Sequence, residues 1–255
     1  MKRVAEGTQD KTMELDRSIK FPATDEAQDL VKWGLDSFHP SIALACSFSL
    51  EDIVLVHMAV QVRPDARVFA IDTGRLNEET YQCADAVRRR LNVNIEWYFP
   101  ERQAVEKMER EEGLYSFHES LEARHECCRI RKVEPLSRAL SGLKAWITGL
   151  RRGQGVTRSE LKPVTRDETH GGIIKISPLA AWEFEQLWNY VRHHNLPYNR
   201  LHDLGYPSIG CEPCTRAVRT GEDARAGRWW WESPEHKECG LHIKGDKQDC
   251  RTLQN

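Results

Sequence analysis

An α/β fold, with a parallel twisted sheet covered by helices on both faces, is what this chain of 255 residues predicts. Three observations carry the expectation. Short apolar runs of four to six residues recur, and segments of ten to fifteen residues with helical spacing separate them. The runs are apolar throughout rather than alternating, which suits strands buried on both faces. No internal repeat or low-complexity linker interrupts the pattern, so residues 23–232 read as one domain, with 1–22 as a polar N-terminal arm and 233–255 as a C-terminal tail.

Taken in order, Ala27, Leu30, Val31, Gly34, Leu35 and Phe38 recur at helical spacing, and His39-Pro40 ends that first helix. Ser41 to Cys46 is a strand, Ser47 to Asp52 a turn, and Ile53 to Val60 a helix. A helix starting directly after a strand presents free N–H groups and the positive end of its dipole, which suits phosphate or sulfate. The hydroxyls of Ser47 and Ser49 can add hydrogen bonds there; the alternative is that they only cap the helix while Glu51 and Asp52 complement its dipole. Arg67 to Asp72 is a second strand broken by Thr73-Gly74, and Asn77 is placed to cap a helix reaching Leu91. Asn92 to Phe99 is a third strand and Glu101 to Glu112 a charged helix. Ser116-Phe117-His118-Glu119 has the form of a capping box opening a helix towards Cys127-Cys128. Lys144 to Gly149 is a fourth strand, Leu150 to Ser159 a glycine-rich basic loop, Ile173 to Ile176 a fifth strand, and Trp182 to His194 a last amphipathic helix. In such a fold ligands sit at the carboxyl ends of the strands, where Ser47–Asp52 and Asp72–Gly74 both fall.

The net charge of −2 gives no global pull towards nucleic acid or an anionic membrane, so anion recognition must be local. No apolar run is long enough to span a bilayer and the first twenty residues lack a signal-peptide centre, which predicts a cytoplasmic protein. Eight cysteines in such a chain point to metal binding or thiol chemistry rather than disulfides. Four of them form a tandem pair, Cys127-Cys128, and a Cys-x-x-Cys pair, Cys211 and Cys214. Adjacent helical residues diverge by about 100°, so both members of the tandem reach one site only if it is large or the helix is distorted. That favours an iron-sulfur cluster over a single zinc ion, whose four ligands surround one point. Cys46, Cys83 and Cys250 read as packed or incidental. Cys239 lies among Lys237, His236 and His242, a cationic setting that favours thiolate; a surface cysteine in a loose tail is the alternative. Arginines and lysines stand beside both cysteine pairs, where they suit phosphate and sulfate oxygens and offset thiolate charge.

With those residues in view, the chain resembles the assimilatory adenylyl-sulfate reductases, the cluster-bearing branch of the phosphoadenylyl-sulfate reductase family. The resemblance runs from about Asp25 to His242. It rests on Ser47-Phe48-Ser49-Leu50-Glu51-Asp52, Asp72-Thr73-Gly74-Arg75-Leu76, Cys127-Cys128-Arg129-Ile130-Arg131-Lys132, Gly149 with Thr157-Arg158-Ser159, Cys211-Glu212-Pro213-Cys214 and Glu238-Cys239-Gly240-Leu241-His242. It implies an adenine-nucleotide α-hydrolase-like sheet and a [4Fe-4S] cluster on Cys127, Cys128, Cys211 and Cys214. It implies Cys239 as nucleophile, with His242 assisting. Lys132, Arg158, Arg225 and Arg228 would contact the phosphosulfate; Ser47, Ser49, Asp72, Gly74, Leu76 and Gly149 would surround the nucleotide. Phe48 and Ser49 replace the glycine pair of related ATP pyrophosphatases, which argues against ATP cleavage.

The implied reaction is reduction of adenylyl sulfate to sulfite and AMP through an S-sulfocysteine on Cys239, in sulfate assimilation towards cysteine. Thioredoxin is the implied reductant, and as thirteen residues follow His242 it is expected to be a separate protein. Two other readings stand beside this one: reduction of 3'-phosphoadenylyl sulfate, alone or as well, and a zinc-stabilised nucleotide-binding protein in which Cys239 is incidental. No nucleic-acid or membrane partner is expected, and the sequence leaves homo-oligomer formation open.

Overall fold

The computed structural model describes residues 19–155 and 158–233. Six strands, β1 (Ile42–Ala45), β2 (Val68–Ile71), β3 (Ile95–Tyr98), β4 (Ala145–Ile147), β5 (Val164–Asp167) and β6 (Ile173–Ile176), form one sheet in the order β3-β2-β1-β4-β6-β5. All neighbours run parallel except β5, which closes one edge antiparallel to β6. The α/β expectation holds, with that edge strand as an addition. Val164-Thr165-Arg166-Asp167 is buried only at its two ends and so carries no apolar run to announce it.

The described residues form seven α-helices: α1 (Ala27–Phe38), α2 (Leu50–Val62), α3 (Glu78–Leu91), α4 (Arg102–Glu112), α5 (Leu121–Cys128), α6 (Glu134–Leu140) and α7 (Phe184–His193). The larger apolar core joins α1, α2 and α7 to one face; a smaller one packs Leu136, Ala139 and Leu140 of α6 against Phe69 and Trp146 on the other. Helix α2 is buried nearly all round, with Ile53, Val54, Leu55 and Val56 wholly inaccessible. Each such side chain contributes roughly 1.5–3 kcal/mol, so α2 is held by burial on all sides and not by an amphipathic stripe. No helix among the described residues is long and apolar enough to cross a membrane.

Two local expectations fail. Ser116 does not open a helix: it is buried in a short 3-10 turn, Ser116–His118, and α5 begins after Ser120, whose hydroxyl accepts from the Ala123 N–H at 3.1 Å. Asn77 caps nothing with its side chain; its Nδ2 instead donates to the Gly210 carbonyl at 3.2 Å, tying the turn after β2 to the Cys-x-x-Cys loop.

Because β2 and β3 lie on one side of β1 while β4, β6 and β5 lie on the other, the order in which strands are added reverses between the parallel neighbours β1 and β4. A crevice opens at the carboxyl end of such a switch point. The segments leaving β1 and β4 there are Cys46–Ser49 and Thr148–Gly149.

Candidate functional site

A cavity of about 380 Å³ occupies that crevice. Its inner wall is apolar, made by Ala45, Phe69, Ile71, Leu136 and Trp146; elsewhere it is lined by Lys132, Arg158, Arg225 and Arg228. The turn from β1 into α2 forms another part. Ser49 caps α2, its hydroxyl accepting from the Asp52 N–H at 3.4 Å, and Ser47 donates both its N–H and its hydroxyl to Asp52 Oδ2, each at 2.6 Å. Burial pushes the Asp52 carboxyl up to about 6, with the Ser47 hydrogen bonds opposing and neighbouring Glu51 adding to the rise. Gly149 faces this turn, and a Cβ there would collide with the Asp52 carboxylate and the Glu51 stem, so the approach of the two strand ends needs glycine.

Glu51 is buried too, but it is paired. Its Oε1 accepts from Arg151 Nε at 2.8 Å and Gln154 Nε2 at 3.1 Å, and Gln154 in turn accepts from Arg158. The basic loop is thereby fastened to the start of α2.

A second chamber adjoins the first. Cys127, Cys128, Cys211 and Cys214 are all buried in one cluster with Met108, Phe117, Ile130 and Trp229. Their small cavity is also walled by Arg75, Arg124, Arg131 and Lys132. Both tandem cysteines close α5, and directly after Cys128 the helix widens: residues Arg129–Val133 form a π-helical turn that carries Arg131 and Lys132 to the chamber wall. Cys211 and Lys132 line both cavities and so form the partition between them. Burial alone would raise the Cys211 thiol, but the Lys132 charge, a Thr73 hydroxyl 3.3 Å from its sulfur and Arg228 outweigh burial and bring it below its ordinary value. Burial dominates at the others resolved: the Cys127 thiol is raised and that of Cys214 is pushed up to about 12. Two carboxylates hold the surrounding cations. Glu109 takes both Arg75, at 3.0 Å, and Arg131, and Glu232 takes Arg124 through two hydrogen bonds of 2.9 and 2.7 Å. Among the described residues three buried donors nearby have no acceptor: Arg131 Nε on the chamber wall, Trp229 Nε1 in its apolar cluster, and Arg228 Nε on the large cavity. Buried donors without acceptors are costly, and these lie where the two cavities meet, a place suited to an anion. Among the described residues no group of three or more His, Cys, Asp or Glu is already gathered tightly enough to hold a metal ion.

A profile of the phosphoadenosine phosphosulfate reductase domain matches residues 41–217, from β1 through the Cys-x-x-Cys loop. The chain belongs to that family. Among its relatives, an adenosine 5'-phosphosulfate reductase of Allochromatium vinosum is 51% identical over 202 residues, covering 79% of this chain and 78% of that one. The chloroplastic 5'-adenylylsulfate reductase 3 of Arabidopsis thaliana is 46% identical over 229 residues, covering 87% of this chain and 49% of that protein. Among solved structures, the phosphoadenylyl-sulfate reductase of Candida auris, a phosphate complex, superposes with a TM-score of 0.65 at 28% identity, covering 76% of this chain and 90% of that one. Like these relatives, the chain is an enzyme.

Within this reductase fold the site residues named from sequence separate into four groups, the first being Cys127, Cys128, Cys211 and Cys214 in the small chamber. Lys132, Arg158, Arg225 and Arg228 line the large cavity with Ser47, Ser49, Leu76 and Gly149. Asp72 and Gly74 are not among the lining residues and stand in the turn after β2: the Asp72 carboxylate accepts from the Gly74 N–H at 2.7 Å and the Tyr81 hydroxyl at 3.0 Å, and Gly74 takes φ +71°. Cys239, His242 and Thr157 lie outside the described residues. Sequence reasoning passes over Gln154 and Asp52 as partners of the site. Each stands close in the chain to the residue it engages, Gln154 four residues before Arg158 and Asp52 five after Ser47. Neither attracts notice, because a glutamine in a basic loop and an acid in a first helical turn are ordinary.

Proposed function

We propose that the chain reduces adenylyl sulfate to sulfite and AMP, with Cys239 as nucleophile and thioredoxin as electron donor, in sulfate assimilation. One observation supports this above others: a nucleotide-sized cavity with an apolar slot and a lining that includes Lys132, Arg158, Arg225 and Arg228 beside the Glu51-paired Arg151 shares the Lys132–Cys211 partition with a chamber of four cysteines. The relatives named adenosine 5'-phosphosulfate reductase point to the same substrate.

In the proposed reaction the base enters the apolar slot and the phosphosulfate lies among Lys132, Arg158, Arg225 and Arg228. The Cys239 thiolate attacks the sulfur; the bond from that sulfur to the bridging oxygen breaks and AMP departs with the electron pair. The cations stabilise the charge growing on the phosphate, an interaction stronger at the transition state than before it. One thiolate of the reductant then attacks Cys239 Sγ and expels sulfite, and its second thiol resolves the mixed disulfide. Two electrons thus pass from dithiol to sulfur, and His242 is proposed to assist the nucleophile.

A [4Fe-4S] cluster is proposed on Cys127, Cys128, Cys211 and Cys214. The fit rests on the donor set and its charge. Four lining cations set against Glu109 and Glu232 leave a surplus of two positive charges, matching the two negative charges of an oxidised cluster with four thiolates. Zinc with four thiolates carries the same charge, so iron content and the visible spectrum separate the two. Bound there, the cluster would contribute an electrostatic field and rigidity to the partition; the steps above use only the chain's own groups.

Intact-protein mass spectrometry on anaerobically purified enzyme, given adenylyl sulfate without reductant, tests the mechanism. One added sulfo group on wild type, and none on Cys239→Ser, is expected. An adduct that persists in the variant would remove Cys239 as nucleophile. Parallel incubation with 3'-phosphoadenylyl sulfate reports whether that substrate is also taken.

A further inference from the structure

The neighbouring acids at the start of α2 have different surroundings. Glu51 is matched by the Arg151 guanidinium. Asp52 is not: Oδ2 is held by the N–H and hydroxyl of Ser47, both neutral, and no cation pairs with this carboxylate among the described residues. On the cavity wall, therefore, Asp52 is the acid whose charge remains uncompensated. It also holds the Ser47 N–H and hydroxyl, so these two donors of the turn are already engaged. The turn opposes a second phosphate chiefly by holding a negative charge.

The placement of that charge matters for the ribose. Ser47–Asp52 leaves β1 directly after Ala45, which forms part of the apolar slot, and Lys132, Arg158, Arg225 and Arg228 line the cavity as well. A nucleotide with its base in the slot and its 5' group among those cations lays its sugar against this turn. Ribose hydroxyls can donate to the carboxylate; a phosphate on the sugar meets a like charge across a wall sheltered from water, where repulsion is weakly screened.

We propose that Asp52 is a specificity-determining residue, which admits a nucleotide with free ribose hydroxyls and rejects one carrying a second phosphate on the ribose. This rests on the reading that the cavity binds a 5'-phosphosulfate nucleotide, and it supplies the residue that chooses between the two substrates of that class. The burial that lifts its carboxyl to about 6 still leaves it mainly ionised at neutral pH.

Asp52→Asn is the isosteric test, since the amide oxygen can still accept from Ser47 while the charge is gone. The dissociation constants of AMP and adenosine 3',5'-bisphosphate, measured by calorimetry at pH 7.5 on anaerobically purified full-length protein, give a ratio independent of catalysis. In wild type AMP is expected to bind at least about tenfold more tightly, and in Asp52→Asn that preference should shrink at least about tenfold. If Asp52→Asn does not fold, Asp52→Ser serves, and Asp52→Glu should restore part of the preference. A preference left intact in a folded charge-free variant overturns the proposal. So does a wild type that binds both nucleotides equally, though that outcome leaves the phosphosulfate reading standing. Failure of wild type to bind either nucleotide would instead sink that reading, and this proposal with it.

Discussion

The turn at the head of α2 and the chamber behind Lys132 are both built for negative charge, but they stand in opposite states. At the turn the chain supplies the anion itself: Asp52 fills the donors of Ser47. In the chamber the chain supplies cations and, among the described residues, leaves Arg131 Nε on the wall and Trp229 Nε1 in the surrounding cluster without acceptors. The first site is closed electrostatically and the second is a mould. A strand-turn-helix motif alone is therefore no measure of anion affinity; the deciding factor is whether a neighbouring side chain has already taken the donors.

The comparison can be broken most severely at the mould. Cys211→Ser should purify without iron, measured by metal analysis and the loss of the visible absorption, with sulfite production below detection. Full iron content in that variant would remove Cys211 from the proposed ligand set. Next in size, Lys132→Met takes the charge from the partition while keeping much of its length. It should lower kcat/KM by roughly 10²–10³, the usual loss when one preorganised charge at a transition state goes. Iron content should stay near wild type; loss of iron in step with activity would make Lys132 a support of the chamber and not a substrate contact.

The smallest effect sharpens the closed site. The Asp52 carboxyl stands at about 6 in the fold against about 3.8 when free, so its ionisation opposes folding above that range. A raised carboxyl makes the folded protein bind its proton more tightly, so this contribution improves as pH falls from about 7 towards 4. Asp52→Asn removes the cost and should stabilise the protein at pH 7 by up to about 3 kcal/mol, a gain that fades towards pH 4. Urea unfolding of both proteins across that range checks it, and a constant difference would place the effect elsewhere. A gain in stability accompanied by lost discrimination is the usual exchange at a binding site.

Much of this architecture is legible in the chain because its signals are local. Apolar runs at Ile42–Ala45 and Val68–Ile71, with helices between, predict neighbouring parallel strands without knowledge of partners. The four cysteines declare a common purpose by type and spacing. The features that escape depend on distant partners. Asn77 looks like a cap until Gly210, 133 residues away, takes its amide. Ser116 has capping-box spacing but is buried, so tertiary packing overrides the local option. The partners of Asp72 within the fold, Gly74 and Tyr81, are likewise not announced by the sequence. The divergence of Cys127 and Cys128 poses a choice between a large site and a distorted helix; both cysteines close α5 in regular winding, and the π turn begins directly after them.

That turn carries a consequence for insertions and deletions. A π-helical turn holds one residue more than its α counterpart, so Arg129–Val133 is in effect a one-residue insertion between the tandem cysteines and α6. Removing one of its residues would let the turn return to regular winding with α5 and α6 near their present rotation, because the wide turn and its α counterpart sweep about the same angle. What such a deletion costs is the widening itself and the side-chain positions inside it, the buried Lys132 among them. Along this stretch the order of side chains within the turn is constrained more tightly than the winding of the helices on either side.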